Sequence, residues 1–195
     1  MASNITPLLT TERLHLVQLP PDAAWRVLAY HEANREHFDP VSPDRPANFF
    51  SVTYWRTRLA QDREDFRYDV SLRLFLLPRD EPLGSAPIIG NVSLTQIRRG
   101  PLQSADLGYA LDHRYEGKGY MTEALRALCD YAFGVMRLHR LHANHLPENL
   151  KSAAVLERLG FAVEGYARSF LRIDGRWRDH VLTARIAPET AEGAR

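Results

Sequence analysis

One segment organises the whole sequence: Leu107-Gly-Tyr-Ala-Leu-Asp-His-Arg-Tyr-Glu-Gly-Lys-Gly-Tyr-Met-Thr-Glu-Ala124. Its first five residues alternate, with apolar side chains at 107, 109 and 111 on one face, which predicts a β-strand. From Met121 to Ala132, apolar residues recur at helical spacing, which predicts an amphipathic helix. Between them, Gly117 and Gly119 indicate a tight loop that carries the chain from the strand into the helix.

The loop and the start of the helix together favour an anion site. Glycines let the backbone approach a ligand closely, and the first amides of a helix have no acceptor within it. The positive end of the helix dipole attracts negative charge, so a pyrophosphate is the expected guest. The pattern is not a dinucleotide fingerprint, because Thr122 replaces the third glycine, and it is not a Walker loop. Taken alone, it is equally consistent with a plain tight connection.

Further motifs give the chain a resemblance to a known family. Arg114-x-x-Gly117-x-Gly119 before an amphipathic helix resembles the acetyl-CoA loop of the GNAT superfamily of N-acetyltransferases. The segment Asn149–Phe161, which ends in Leu-Gly-Phe, resembles the second motif of that superfamily. The tail Glu164–Leu182 and the opening Leu9-Thr-Thr-Glu-Arg-Leu14 are similar to its ribosomal-protein-alanine N-acetyltransferase branch.

The resemblance covers about residues 8–186 and implies the fold. We expect an α+β GNAT fold with a single mixed, mostly antiparallel twisted sheet of about seven strands, and helices on both faces. A V-shaped split is expected between strands near 104–111 and 138–145, with the pantetheine arm of the cofactor in the gap. One domain over residues 1–195 is predicted, in which residues 187–195 form a flexible tail.

Acetyl-CoA as co-substrate is what the resemblance implies, without a metal, together with an amine acceptor at the N-terminus of a protein. A ribosomal protein that begins with alanine is the expected acceptor. Two other hypotheses stay open. One is an acetyltransferase of a small amine, such as an antibiotic or an aminoacyl compound, and the other is a CoA-binding module without turnover.

Cofactor binding is predicted for the glycine loop and the first helical turn after it. Backbone amides from Gly117 to Thr122 would hold the pyrophosphate, and Arg114 and Lys118 would offset its charge unless they are only solvated surface. A free backbone N–H near Tyr109 to Leu111 is the expected oxyanion donor. The predicted cofactor-binding residues are Leu111, Arg114, Gly117, Lys118, Gly119, Tyr120, Met121, Thr122 and Asn149.

Catalytic roles are predicted for Ser152, Asn149 and Asp106. By resemblance, Ser152 would protonate the leaving thiolate, a role that many relatives give to a tyrosine at the position held here by Leu156. Asn149 would cap its helix and also touch the pantetheine arm. Asp106, on the central strand, is the candidate general base, although many relatives have the longer glutamate there. The alternatives are a local hydrogen bond for Ser152 and a solvated acid at Asp106.

The overall composition excludes several classes of protein. Hydrophobic residues make up 45% of the 195 residues and charged residues 25%, which is typical of a globular domain. The net charge of +1 argues against a general nucleic-acid binder. The single cysteine excludes an internal disulfide, and no apolar run approaches the ~18 residues of a membrane span. The N-terminus lacks the pattern of a signal peptide, so we expect a cytoplasmic protein, as a monomer or homodimer.

Two weaker patterns concern the spacing of three histidines and the N-terminal helices. His139, His142 and His145 recur at three-residue steps, but a strand would place them on alternate faces, so no metal site is predicted. Two N-terminal helices are predicted, at about 20–34 and 48–65, and Trp25, Leu28 and Ala29 are assigned to the inner face of the first one.

Overall fold

A computed structural model describes residues 5–188 of the chain, so most of the predicted tail lies outside the described residues. The described part contains eight β-strands and five α-helices. The strands are β1 (Pro7–Thr10), β2 (Leu14–Val17), β3 (Leu72–Pro78), β4 (Gly90–Arg98), β5 (Ser104–Leu111), β6 (Arg140–His145), β7 (Ala162–Ile173) and β8 (Arg176–Ile186). The helices are α1 (Ala24–Ala33), α2 (Arg35–Phe38), α3 (Val52–Arg67), α4 (Tyr120–Gly134) and α5 (Leu150–Arg158).

All the strands belong to one sheet, in the order β1-β2-β3-β4-β5-β6-β8-β7. Every neighbouring pair is antiparallel except β5 and β6, which are parallel. The predicted mixed, mostly antiparallel sheet is therefore confirmed. It has eight strands where the sequence predicts about seven. The additional strand is the short β1, which pairs with β2 and overlaps the start of the motif Leu9–Leu14.

The central strands separate where the split is predicted. β5 pairs with β6 only over Ser104–Asp106, opposite Arg140–His142, although β5 continues to Leu111. The N–H of Asp112 donates to Ile89 O on the β4 side, at 2.9 Å. Because successive amides of a strand alternate in direction, the N–H groups of residues 109 and 111 point into the opening.

Each face of the sheet carries its own hydrophobic core. The first, which we call the α4 face, is covered by α4 and α5 and includes Ala105, Leu107 and the predicted stripe of α4. The second, the α1–α3 face, is covered by α1 and α3 and packs against Ala110. Alternation along β5 therefore sends odd-numbered side chains to the α4 face and even-numbered ones to the α1–α3 face.

The assignment of Trp25 and Ala29 to the inner face of the first helix is wrong. Trp25 is 62% exposed and Ala29 is also exposed, whereas Ala24, Val27 and Tyr30 are buried. A helix face is defined by spacing, and this face is lined by small and polar-ended side chains that carry little hydropathy signal. Even Arg26 is buried there, since its guanidinium donates to the carbonyl oxygens of residues 83 and 86.

Within residues 5–188, no helix has the length and apolar character needed to cross a membrane.

Candidate active site

The glycine loop leads from β5 to α4 at the edge of the split. Gly117 has a φ of 72° and Gly119 a φ of 81°, a region that favours glycine. A Cβ at Gly117 would meet nothing within 4 Å, and one at Gly119 would lie 3.5 Å from Arg13 Nη2. Conformation, and not lack of space, therefore requires both glycines. Gly119 caps α4 without a side-chain hydrogen bond, so the first-turn amides of residues 120–122 face outward as donors.

Asp112 anchors the start of this loop. Its carboxylate is 1% exposed, accepts from the Arg114 backbone N–H at 2.9 Å and from Asn34 Nδ2 at 3.1 Å, and pairs with Arg114 Nη2 at 2.6 Å. Burial alone would raise its pKa, but the hydrogen bonds from Arg114 and Asn34 outweigh it and lower the pKa to about 2. The guanidinium of Arg114 is thus engaged by Asp112, and its contact with a phosphate stays a prediction.

The opening motif of the chain holds the same loop from the other side. Arg13 Nε donates to Glu123 Oε2 at 2.7 Å, and Thr11 Oγ1 donates to Glu123 Oε1 at 2.6 Å. Arg13 Nη1 donates to the carbonyl of Lys118 at 2.9 Å, and its guanidinium lies 4.4 Å from the centre of the Tyr120 ring. The residues just before β2 and the first turn of α4 are therefore joined through Thr11 and Arg13.

Lys118 and Glu116 complete the loop. Lys118 Nζ donates to the carbonyl of Arg114 at 3.0 Å, which leaves the exposed ammonium close to the loop backbone. Glu116 contacts two neighbouring elements, accepting from His37 Nε2 at 3.1 Å and from Lys151 Nζ. The loop is thereby tied to α2 on one side and to α5 on the other.

Ser152 lies across the split from this loop, on the first turn of α5. Its N–H donates to Asn149 Oδ1 at 3.0 Å, so the capping role of Asn149 is present. Its Oγ lies 2.7 Å from the hydroxyl of Tyr109, a residue of β5. Burial raises the pKa of Tyr109 to about 12, more than offsetting the Ser152 hydrogen bond, which lowers it. Leu156, at the position where many relatives have a tyrosine, is buried in the core and has no hydroxyl that could donate a proton.

Asp106 lies on the α1–α3 face, whereas Ser152 lies on the α4 face. The Oδ1 atom of Asp106 is 2.6 Å from Arg98 Nη2, and the side chain of Asp106 is one-third exposed. Its partner across the last paired position of β5 and β6 is His142. Burial first, and then Arg140, lower the pKa of His142, so a neutral imidazole stands beside the carboxylate. The two predicted catalytic side chains thus flank the split from opposite faces.

Several residues of the site were not predicted from the sequence. Asp112 and Glu123 are single acids without a local pattern, and the role of the Tyr109 hydroxyl depends on a helix far along the chain. The sequence signal for Thr11 and Arg13 is the opening motif Leu9–Leu14, which forms part of the family resemblance. Among residues 5–188, no group of three or more His, Cys, Asp or Glu side chains is placed to hold a metal ion.

A family model described as acetyltransferase (GNAT) domain matches residues 13–162, which is more than half of the chain. The protein therefore belongs to the GNAT acetyltransferase family and is an N-acetyltransferase in class. The Escherichia coli [ribosomal protein uS5]-alanine N-acetyltransferase is 38% identical over 186 residues, covering 95% of this chain and 93% of its own.

Solved structures agree with this assignment. The ribosomal-protein-S5-alanine acetyltransferase from Vibrio fischeri superposes with a TM-score of 0.86 at 33% identity, covering 96% of this chain and 98% of its own. RimJ from Mycobacterium smegmatis, solved in complex with CoA-disulfide, superposes with a TM-score of 0.83 at 27% identity, covering 100% of this chain and 90% of its own. The predicted fold and family are confirmed by these likenesses.

Proposed function

We propose that this protein transfers the acetyl group of acetyl-CoA to the N-terminal α-amine of a ribosomal protein that begins with alanine. The observation that carries the proposal is the 38% identity, over 95% of the chain, to the Escherichia coli enzyme named for such an acceptor. A spermidine N(1)-acetyltransferase is also similar, at 29% identity, but over only 58% of the chain. A protein acceptor therefore has the stronger support.

The glycine loop fits the pyrophosphate of acetyl-CoA. The outward amides of Gly117, Gly119 and residues 120–122 would donate to it, with Lys118 beside them. The opening between β5 and β6 would take the pantetheine arm, next to Asn149. The Mycobacterium smegmatis RimJ structure, in which CoA is present as a disulfide, supports this use of the fold.

The chemistry follows from the same geometry. The backbone N–H groups of Tyr109 and Leu111 point into the split, where they would stabilise the oxyanion formed on the acetyl carbonyl. Ser152 would supply a proton to the leaving thiolate. An α-amine has a pKa near ~8, against ~10.4 for lysine, so a substantial part of it is neutral at pH 7 and asks little of a base.

We propose Asp106 as the base, because it lies on the face of the sheet opposite Ser152. An amine that approaches the thioester from that face would meet its carboxylate. Its ion pair with Arg98 must then loosen or be shared when the acceptor binds. We also propose that residues 1–195 form one domain that works in the cytoplasm as a monomer or homodimer. No direct contact with nucleic acid is required.

The test is release of free thiol from acetyl-CoA with short peptides that begin with Ala, Ser, Met or Gly, next to small amines such as spermidine. We expect turnover on the Ala-led peptides and none on peptides whose only free amine is an internal lysine. Turnover confined to a small amine would overturn the proposed acceptor. If no peptide reacts, intact ribosomal proteins with N-terminal alanine are assayed by mass spectrometry, and an unmodified N-terminus would contradict the proposal.

A further inference from the structure

The strand β5 brings a second hydroxyl to the site, next to the one that the mechanism uses. The Tyr109 hydroxyl lies 2.7 Å from Ser152 Oγ and 3.4 Å from the carbonyl oxygen of Ser152. Tyr109 packs against the α4 core from the central strand, and Ser152 reaches it from the first turn of α5. The contact joins two elements that border the split, 43 residues apart in the chain.

Only one proton can lie between two hydroxyl oxygens, so the direction of this bond decides what Ser152 can do. A hydroxyl carries a single proton and two lone pairs. If Ser152 donated to Tyr109, its proton would be turned away from the thioester. If Tyr109 donates, the Ser152 oxygen is an acceptor from one side and its own proton stays available to the split.

The surroundings favour donation by Tyr109. A phenol is a stronger donor and a weaker acceptor than an aliphatic hydroxyl, because the aromatic ring withdraws its oxygen lone pair, and the buried phenol of Tyr109 stays protonated throughout the working pH range. The Ser152 amide is already engaged by Asn149 Oδ1, which fixes the first turn of α5 and with it the position of Oγ. A chain of two hydroxyl bonds that ends on a developing thiolate strengthens along its length, because each bond polarises the next.

We propose that Tyr109 is the positioning residue for Ser152, donating to its Oγ so that the Ser152 proton is directed at the sulfur of acetyl-CoA. This inference rests on the proposed function, because it refines the role of Ser152 in acetyl transfer. When the C–S bond breaks, its electron pair stays on sulfur, and sulfur takes the proton of Ser152. The acetylated nitrogen loses one proton to the proposed base Asp106, water returns one proton to Ser152 Oγ, and Tyr109 keeps its own throughout.

The experiment compares Tyr109→Phe with Tyr131→Phe, since both tyrosines pack against the same core and each change removes one phenol oxygen. We expect Tyr109→Phe to lower kcat about tenfold to a hundredfold, less than the roughly 10²–10⁴-fold of a full proton-transfer contribution because Ser152 keeps its own proton, while KM for acetyl-CoA stays within about twofold. Tyr131→Phe should leave kcat nearly unchanged. Thermal unfolding of both variants shows that each is folded.

A double-mutant cycle separates positioning from mere packing. In a Ser152→Ala background, Tyr109→Phe should have no further effect on kcat, because the hydroxyl it orients is absent. An equal loss in both backgrounds, or a kcat within twofold of the parent for Tyr109→Phe alone, would overturn the inference.

The acceptor can be removed from the test. Slow hydrolysis of acetyl-CoA by the protein, with water as acceptor, also needs a proton on the leaving thiolate. If no amine is acetylated, the proposed function fails, yet the same cycle run on hydrolysis still tests Tyr109. Loss of hydrolysis in Tyr109→Phe supports the inference, and unchanged hydrolysis overturns it.

Discussion

Two regions of the molecule are stabilised in different ways. Around the glycine loop, charged groups form ion pairs, as in Arg13 with Glu123 and Arg114 with Asp112. On the α1–α3 face, aromatic rings dominate, and the imidazole of His31 stacks on Trp55 with 4.6 Å between ring centres and 8° between planes.

The difference matches two tasks. Directional ion pairs hold backbone amides in place, which a fixed anion such as pyrophosphate requires. Ring packing depends on buried apolar area and on the geometry of the ring pairs, and it directs no backbone amide at a ligand. The Nδ1 atom of His31 and the Nε1 atom of Trp55 even lack a hydrogen-bond partner among residues 5–188. We therefore expect the largest functional effects around the glycine loop and the smallest in the aromatic cluster around His31.

The largest effect is expected for Gly119→Asp. The new residue must adopt the positive φ of Gly119, which strains a side-chain-bearing residue, and it places a carboxylate at the start of α4. Because this carboxylate repels a phosphate, CoA should bind at least about 100-fold more weakly. Isothermal titration with CoA measures the change. Gly134→Asp is the matched control, since it adds the same charge at the far end of α4. Equal CoA affinity in the parent and in Gly119→Asp would show that the loop is only a turn.

The next effect is expected for Asp112→Ala, which leaves Arg114 and Asn34 without their buried acceptor. We expect a loss of about 2 kcal/mol in the free energy of unfolding at pH 7, measured with urea. Because the pKa falls from 3.8 to about 2 on folding, this stabilisation is present above pH ~4 and is lost as the pH falls towards 2.

The difference between the parent protein and Asp112→Ala should therefore shrink between pH 4 and pH 2. Asp130→Ala, at an exposed position of α4, is the control and should change stability little. A difference that stays constant over this range would contradict the assigned pKa.

A smaller effect is expected for Arg13→Ala, which breaks the contact between β2 and the loop. KM for acetyl-CoA should rise about tenfold, equivalent to about 1.4 kcal/mol, while KM for the acceptor stays the same. Arg13→Lys should restore little, because an ammonium cannot reproduce the two-pronged contact with Glu123. Arg126→Ala, on the exposed side of α4, serves as the control. A rise in the KM for the acceptor alone would contradict the role of Arg13 in holding the loop that binds acetyl-CoA.

The smallest effect at pH 7 is expected for His31→Leu on the α1–α3 face, within about 1 kcal/mol. Burial, and then Arg45 and Arg73, lower the pKa of His31 from 6.5 to about 3. Between pH 6.5 and pH 3 the unfolded chain therefore binds one more proton than the folded chain. As the pH falls through this range, the parent protein loses about 1.4 kcal/mol of stability per pH unit from this residue.

His31→Leu should remove that slope, which urea unfolding at pH 6.5 and pH 5 detects. The control is His139→Gln, at an exposed position, which should leave the slope as it is. A slope unchanged by His31→Leu would mean that the imidazole is protonated in the folded protein.

Much of the α4 face could be predicted from the sequence, and much less of the α1–α3 face. The bounds of β5 and the apolar stripe of α4 agree with the predictions, because strand alternation and helical spacing are local properties. Gly160, the glycine of the Leu-Gly-Phe motif, follows α5 with a φ of 79°, as is usual for a glycine that ends a helix. The inner face of α1 was missed, because its buried side chains include an arginine and carry a weak hydropathy pattern.

The predicted site residues show the same limit. Asn149 caps α5 as expected, since capping depends on neighbours three residues away. Asp106 and Ser152 were each predicted to be catalytic, but nothing local could reveal that they lie on opposite faces of the sheet. The roles of the nine predicted cofactor-binding residues and of the three predicted catalytic residues stay predictions.

The sequence by itself determined the elements and the positive-φ turns, because helical spacing, strand alternation and glycine content act over a few residues. It also determined the family, because the motifs of that family are local in the chain. Only the tertiary structure decided which groups meet. Arg13 reaches Glu123 across 110 residues and Tyr109 reaches Ser152 across 43, since pairs so distant in sequence are brought together by sheet pairing and helix packing alone.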